Sequence, residues 1–228
     1  MTALGGGRRG PAPARPQVVA AAVLGTLALV LSGCLSSGYA YFSHRNPDGL
    51  ELYFKLPARW KTFDSTQVLE AANGRLSQSQ IKQIEGTEWL VLFAASRRIS
   101  ARQVGLSGST VPEGEAFTRE LSPTERDTFS LASLRQAIIG TDPLSSSQFN
   151  VLSYSEFTAP GGIRGSKLVV DVLGSHGLVT TLGQVVEVDP ATDWLYGIAI
   201  GCRASCWNPN EGTISQVLDS WTVKELPK

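Results

Sequence analysis

Between Phe149 and Cys202 the chain passes through four stretches rich in β-forming residues, Phe149 to Phe157, Gly165 to Leu173, Leu178 to Val188 and Trp194 to Cys202. The sequences between them, APGG, GSHG and DPAT, are turn formers too short to hold a crossover helix, so successive strands must run antiparallel. This spacing predicts a four-stranded meander. In its last strand Trp194, Tyr196, Ile198 and Ile200 alternate with Gly197, Ala199 and Gly201, which puts large residues on one face and leaves the other open to close approach.

The rest of the chain supplies helices and further strands. Leu52, Phe54 and Leu56 alternate with Glu51, Tyr53 and Lys55 before Pro57, the period of a half-buried strand. Short helices are expected over Ser65 to Ala72 and Ser77 to Glu85, stopped by Gly74 and Gly86. EWLVLFAA, Glu88 to Ala95, reads as a central strand covered on both faces. The segment 97–127 is least regular: a strand is expected near 99–106, then a long exposed connection carrying Glu113, Glu115, Glu120, Glu125 and Asp127. Leu131, Leu134 and Ile138 recur at helical spacing between a Thr128 or Ser130 cap and the Gly140 stop. A last helix is expected to start at an Asn208 cap with Pro209 in its first position and Glu211 three after the cap, burying Ile214, Val217, Leu218 and Trp221. Together these elements predict an α+β domain, an antiparallel β-sheet flanked by helices.

The opening strand ends in Leu56-Pro57-Ala58-Arg59-Trp60, the hairpins turn on glycine pairs, and the last helix runs into Val217-Leu218-Asp219-Ser220-Trp221-Thr222-Val223. In this order and punctuation, roughly residues 50 to 225 resemble the PsbP-like family, named for an extrinsic subunit of photosystem II and sharing its fold with a nuclear-import factor that binds the GTPase Ran. The resemblance implies an α/β/α sandwich and binding or assembly work without catalysis. The chain departs from the plastid members in its amino-terminal segment and in a cysteine pair.

That amino-terminal segment carries Arg8, Arg9 and Arg15 with no acidic residue, then the uncharged run Val18 to Leu31. Basic, apolar, then small is the order of an export signal. As a helix the run, about 14 residues, would be roughly 21 Å long against a ~30 Å hydrocarbon core. Extending it to Leu35 reaches about 18 residues, the lower edge of spanning length, so an uncleaved signal anchor is the competing reading. Leu31-Ser32-Gly33-Cys34 resembles the bacterial lipobox at all four of its positions. The resemblance implies a diacylglyceryl group on Cys34, cleavage between Gly33 and Cys34, and acylation of the new amino terminus. Two or three chains hold a protein stably, each buried methylene contributing about 0.8 kcal/mol. Arg8-Arg9 lacks the apolar residues expected after a twin-arginine pair, which favours the general secretory route. The expected organisation is a signal peptide over 1–33, a tether over 34–49 that includes His44, and one domain over 50–228.

Of the 20 basic and 20 acidic residues, the signal removes three arginines, leaving 17 against 20 and a mature net charge of about −3. Such a balance gives no case for nucleic acid. Cys202 and Cys206 remain, and in an exported chain an even pair predicts a disulfide that shapes a turn. His44 and His176 do not complete a metal site with them, and no cofactor is expected.

No catalytic pattern in the sequence is complete. GLSGS, 105–109, lacks the second glycine of a nucleophile elbow, and PGGIRG, 160–165, lacks both the dinucleotide fingerprint and a Walker lysine. His176 lies in a glycine-flanked turn, and Asp189 and Asp193 flank DPATD, ordinary turn chemistry beside a weaker calcium reading. A carboxylate pair for glycoside cleavage leaves no mark in sequence spacing. Arg97, Arg98 and Arg102 suit either solvent or anionic headgroups, and the acidic stretch 113–127 suits a docking loop. The expectation is a non-catalytic, lipid-anchored accessory protein at the extracytoplasmic membrane face, reaching the membrane through Cys34 and binding an envelope protein. The alternatives are an envelope hydrolase with carboxylate catalysis and a carrier of a lipid or other apolar ligand. Converging carboxylates in a deep pocket would favour the hydrolase, an apolar pocket the carrier, and a filled core with an apolar patch the protein binder.

Overall fold

The structure, a computed structural model, describes residues 38–74, 76–174 and 177–225. The signal segment, the lipobox residues Leu31, Ser32, Gly33 and Cys34, and His176 lie outside the described residues.

The fold opens with a hairpin, β1 (Tyr39–Arg45) and β2 (Leu50–Pro57), followed by β3 (Lys61–Phe63). The tether expected over 34–49 is therefore corrected: Tyr39 to Arg45 pair antiparallel with β2, and the compact unit begins at Gly38. The aromatics Tyr39, Tyr41 and Phe42 suit a strand, and Phe42 stacks on Phe54 at 5.0 Å between ring centroids. Two helices come next, α1 (Ser65–Asn73) and α2 (Gln78–Glu85), each opened by a capping box, Asp64 with Gln67 and Ser77 with Gln80, and each closed at its predicted glycine. Ser65 pins α1 to β4 (Glu88–Ala94), its hydroxyl donating to Leu90 O at 2.8 Å and accepting from Leu90 N at 2.9 Å.

The 97–127 segment differs from its expectation. A single 3-10 turn over Ala101–Gln103 replaces the strand near 99–106, and β5 (Glu113–Glu120) lies where a long exposed connection was expected. Charge in β5 disguises its position, because Glu113 is buried and partnered: it accepts from Gly105 N at 2.7 Å and Ser109 Oγ at 2.6 Å, stapling the GLSGS loop. After α3 (Pro123–Asp127) and α4 (Leu131–Gln136), capped by Ser130 as predicted, the meander follows as β6 (Phe149–Thr158), β7 (Arg164–Leu173), β8 (Val179–Val188) and β9 (Trp194–Arg203). The last elements are α5 (Ala204–Leu218) and β10 (Thr222–Glu225).

The described strands form a seven-stranded antiparallel sheet, ordered β3-β4-β5-β9-β8-β7-β6, and a three-stranded sheet, β1-β2-β10. The fold class is α+β, antiparallel sheets flanked by helices, as the sequence predicts. One face of the large sheet packs on α5 and β2 through Leu52, Phe54, Ile198, Ile200, Ile214 and Val217. The other carries α4, whose Leu134 meets Val186, Val188 and Leu195. The small-residue face of β9 is closely approached, as its composition requires. A Cβ on Gly201 would collide with the backbone carbonyl of Leu106, and one on Gly197 with the Phe117 ring.

Helix α5 starts earlier than the Asn208 cap that the sequence suggests. Arg203 is the cap residue and Pro209 lies inside the helix, where it cannot donate a backbone hydrogen bond. The Cys202–Cys206 disulfide joins the end of β9 to the first turn of α5, so the covalent bridge, and not the Asn-Pro signal, sets the helix start. Asn210 Nδ2 donates to Cys206 O at 2.8 Å within this turn.

Candidate functional site

The register of the large sheet lines up one transverse row on the face toward α5: Phe157 on β6 opposite Gly165, Gly165 opposite Glu187, Glu187 opposite Tyr196, Tyr196 opposite Thr118, and Thr118 opposite Trp89. Polar groups at the middle of a sheet are costly to bury unless each finds a partner. Tyr196 is fully buried and finds one: its hydroxyl accepts from Asn46 Nδ2 at 2.7 Å, and Asn46 Oδ1 in turn accepts from Leu50 N at 2.8 Å. Burial, with Asp189 and Asp48 nearby, raises its hydroxyl pKa further. His44, beyond the other end of this polar group, stacks on Trp89 with 4.6 Å between ring centroids, and burial lowers its pKa.

Glu187 behaves differently. It is 3% exposed, and the buried indole Nε1 of Trp221 stands against its carboxyl as a donor without the alignment of a full hydrogen bond. Burial pushes the Glu187 carboxyl up to about 8, against a smaller opposing effect of the Trp221 indole. At neutral pH the group is therefore mainly protonated. The neighbouring position on β7 is Gly165, where a Cβ would collide with the Phe157 ring and press on the Glu187 side chain, so the missing side chain lets the ring close over the carboxyl.

Both residues line a cleft of about 500 Å³ between the β6–β8 part of the large sheet, the end of α5 and β10. Its walls are Phe157, Ala159, Val185, Leu218, Trp221 and Val223, and its rim carries the ion pair of Lys167 with Asp219 together with Lys224. The volume falls within the range that encloses one small molecule, and an apolar lining with few polar groups is the usual make-up of such a site. A second cleft, about 280 Å³ beside α3 and α4, contrasts with it: there Arg119 and Glu125 satisfy each other at 2.8 Å, and Arg119 and Ser122 hold the Glu125 carboxyl at about 2.

The residues singled out in the sequence fall elsewhere. Asp189 Oδ1 accepts from Asp193 N and Trp194 N, both at 2.7 Å, and Asp193 pairs with Arg126 at 2.5 Å, so both are engaged in closing the β8–β9 turn. Among the described residues no group of three or more His, Cys, Asp or Glu side chains is placed to hold a metal ion. The acidic stretch 113–127 is structural: Glu120 pairs with Arg126 and Glu125 with Arg119. Arg97 and Arg98 are exposed, and the Arg102 guanidinium donates to Ala71 O. PGGIRG forms the β6–β7 hairpin loop, through a 3-10 turn over Pro160–Gly162. The sequence reading missed Glu187 and Trp221 as site residues. The available signal was one carboxylate inside the apolar run Val185-Val186-Glu187-Val188, in a strand with both neighbours paired.

No protein-family model matches the chain, and no curated protein matches it. Among solved structures it is similar to cyanobacterial PsbP (CyanoP) from Synechocystis sp. PCC 6803, at 13% identity and a TM-score of 0.46, covering 84% of this chain and 96% of that one. It is similar to LpqN, involved in cell envelope biogenesis of Mycobacterium tuberculosis, at 9% identity, a TM-score of 0.36 and coverage of 82% and 92%. It is also similar to the Saccharomyces cerevisiae Ran-binding protein Mog1p, at 9% identity, a TM-score of 0.42 and coverage of 82% and 97%. These are likenesses of chain path, at identities that bring no function with them.

Proposed function

We propose that this protein is a membrane-tethered extracytoplasmic binding protein, without catalysis of its own, whose ligand occupies the cleft floored by Glu187 and Trp221. One observation carries the reading: a cleft of about 500 Å³, lined mainly by apolar side chains, lies over a buried carboxyl and a buried indole in the middle of the fold. Of the readings open at the sequence level, an apolar lining favours a carrier or binder of a small amphipathic molecule. The other carboxylate in the lining, Asp219, is engaged by Lys167, which weighs against a free carboxylate pair for hydrolysis.

The tether follows from Leu31-Ser32-Gly33-Cys34, with lipid on Cys34 keeping the cleft within reach of the membrane and of an envelope protein that delivers or receives the ligand. Two experiments test the parts separately. Native mass spectrometry of the membrane-extracted protein is expected to show a retained small molecule that Ala159→Phe, which fills the cleft, expels; an identical spectrum from the two proteins refutes the cleft. Fractionation is expected to find wild type in the membrane and Cys34→Ala without its lipid mass. A Cys34→Ala chain that stays membrane-bound with residues 1–33 attached would establish a signal anchor instead.

A further inference from the structure

We propose that the end of the fold where β1 begins is a docking face for anionic lipid head groups, met by Arg59, Arg97 and Arg98. The inference goes beyond the cleft. It rests on attachment of the chain to a membrane near residue 34, whether by lipid on Cys34 or by an uncleaved anchor. Leu35, Ser36 and Ser37 alone separate Cys34 from Gly38, and that length of chain, fully extended, reaches about 14 Å. Gly38 is fixed to the fold, because its carbonyl accepts from Ala58 N at 2.9 Å, and Arg59 follows at once. Covalent connection therefore keeps the surface around Gly38 close to the bilayer.

Charge at this end has one sign. Lys61, Ala94, Glu113 and Gly201 face one another across four successive strands, β3, β4, β5 and β9. Just beyond this row, on the chain that enters or leaves those strands, stand Arg59, Arg97, Arg98 and Arg203, all exposed. The segments 55–63, 89–112 and 194–210 contain no Asp or Glu. Glu113, the carboxylate in the row, is buried and spent on Gly105 N and Ser109 Oγ, and Asp64 beyond β3 accepts from Gln67 N as the cap of α1. Lys61 donates to Ile99 O at 2.6 Å, which brings the Arg97–Arg98 loop beside the turn that carries Arg59. Arg102 and Arg203 are held by the carbonyls of Ala71 and Gly108. Among the described residues Arg59, Arg97 and Arg98 make no ion pair, whereas Arg119, Arg126 and Arg135 all do. The other ends of the same strands carry Glu88, Glu120, Asp189 and Asp193, about 20 Å away along β4. An anionic surface attracts the first end and repels the second, so it turns the tethered domain the way its attachment already points.

The full chain, purified from membranes, is reconstituted in vesicles of phosphatidylcholine with about a third phosphatidylglycerol, part of it bearing a diazirine on the head group. Flotation reports attachment, and mass spectrometry maps the photolabelled segments. Segments 57–61 and 95–103 are expected to carry at least about tenfold more label than 46–51 and 188–194 at the acidic end. At roughly fivefold per basic side chain held at an anionic surface, three arginines amount to about a hundredfold. The triple variant Arg59→Gln, Arg97→Gln, Arg98→Gln should therefore lose at least about tenfold of the label at 57–61 and 95–103 while still floating with the vesicles. Wild type in about 1 M sodium chloride, where charges are screened within about 3 Å, should lose as much. The three side chains are exposed, so the variant's Tm should stay within about 2 °C of wild type, and lost label is then lost lipid contact. Equal labelling of the two ends, or label at 95–103 that neither the variant nor salt reduces, overturns the docking face while leaving the chain attached. A wild-type chain that does not float overturns the attachment itself, and with it the tether of the proposed function.

Discussion

Replacing Glu187 by Gln should remove most of the decline in stability that the wild-type protein shows between pH 4.5 and 8. The carboxyl has an ordinary value of 4.5 and is raised to about 8 in the fold by burial. Between those values the folded state keeps a proton that the unfolded state has released, so stability is full below pH 4.5 and falls as pH rises toward 8. At 1.36 kcal/mol per unit, the interval amounts to about 5 kcal/mol, a large share of the roughly 5–15 kcal/mol that holds a domain together. For a chain of this size that corresponds to about 10–20 °C in Tm. Glu115, raised by burial and by Glu88, adds in the same direction, while His44, lowered by burial, opposes it as pH rises through 6.5. The difference between wild type and Glu187→Gln isolates the one group. Thermal melts at half-unit steps from pH 4.5 to 8.5 measure it: the wild-type Tm should fall steeply and the variant's only slightly. Parallel curves would mean that Glu187 is solvated and ionised at neutral pH, and both the dry cleft floor and the reasoning built on it would be wrong.

Removing the bridge between β9 and α5 with Cys202→Ala and Cys206→Ala should cost about 2 kcal/mol, the loop-entropy value for so short a closed segment, read as a lower midpoint in urea at unchanged slope. Gly201→Ala should cost about 3 kcal/mol, because the new methyl meets the Leu106 carbonyl, which Gly105 and its partner Glu113 hold in place; a melt within 2 °C of wild type would show that the loop yields.

Much of the fold was legible because it is written locally. The meander strands, α1 and α2 follow from alternation, capping residues and glycine stops within a few positions of each element. The elements that were misread depend on distant partners. β1 has aromatics that suit a strand, but it is the free edge of β2 that makes it one, and nothing in Tyr39 to Arg45 names that partner. β5 carries acidic residues because Glu113 serves as the anchor of a loop that ends several residues before it. α5 begins at Arg203 because a disulfide holds its first turn, which outweighs the Asn-Pro start signal downstream.

The cleft was illegible for a sharper version of the same reason. Each of its determinants has an innocent local explanation: Gly165 opens a strand after a hairpin, Phe157 ends one, Glu187 breaks an apolar run, and Trp221 closes a helical stripe. Only the register places Phe157, Gly165 and Glu187 in adjacent strands on one row, and only the chain's return through β10 along β2 brings Trp221 to the same cleft. A shift of β7 by one residue would put Ser166 beside Glu187, turn Gly165 to the opposite face and leave the Phe157 ring no gap to lie in. The site is thus a property of strand pairing. A carboxylate in the middle of a buried strand, with no partner in its own sequence neighbourhood, is the kind of local inconsistency that a fold tolerates where something else is meant to bind.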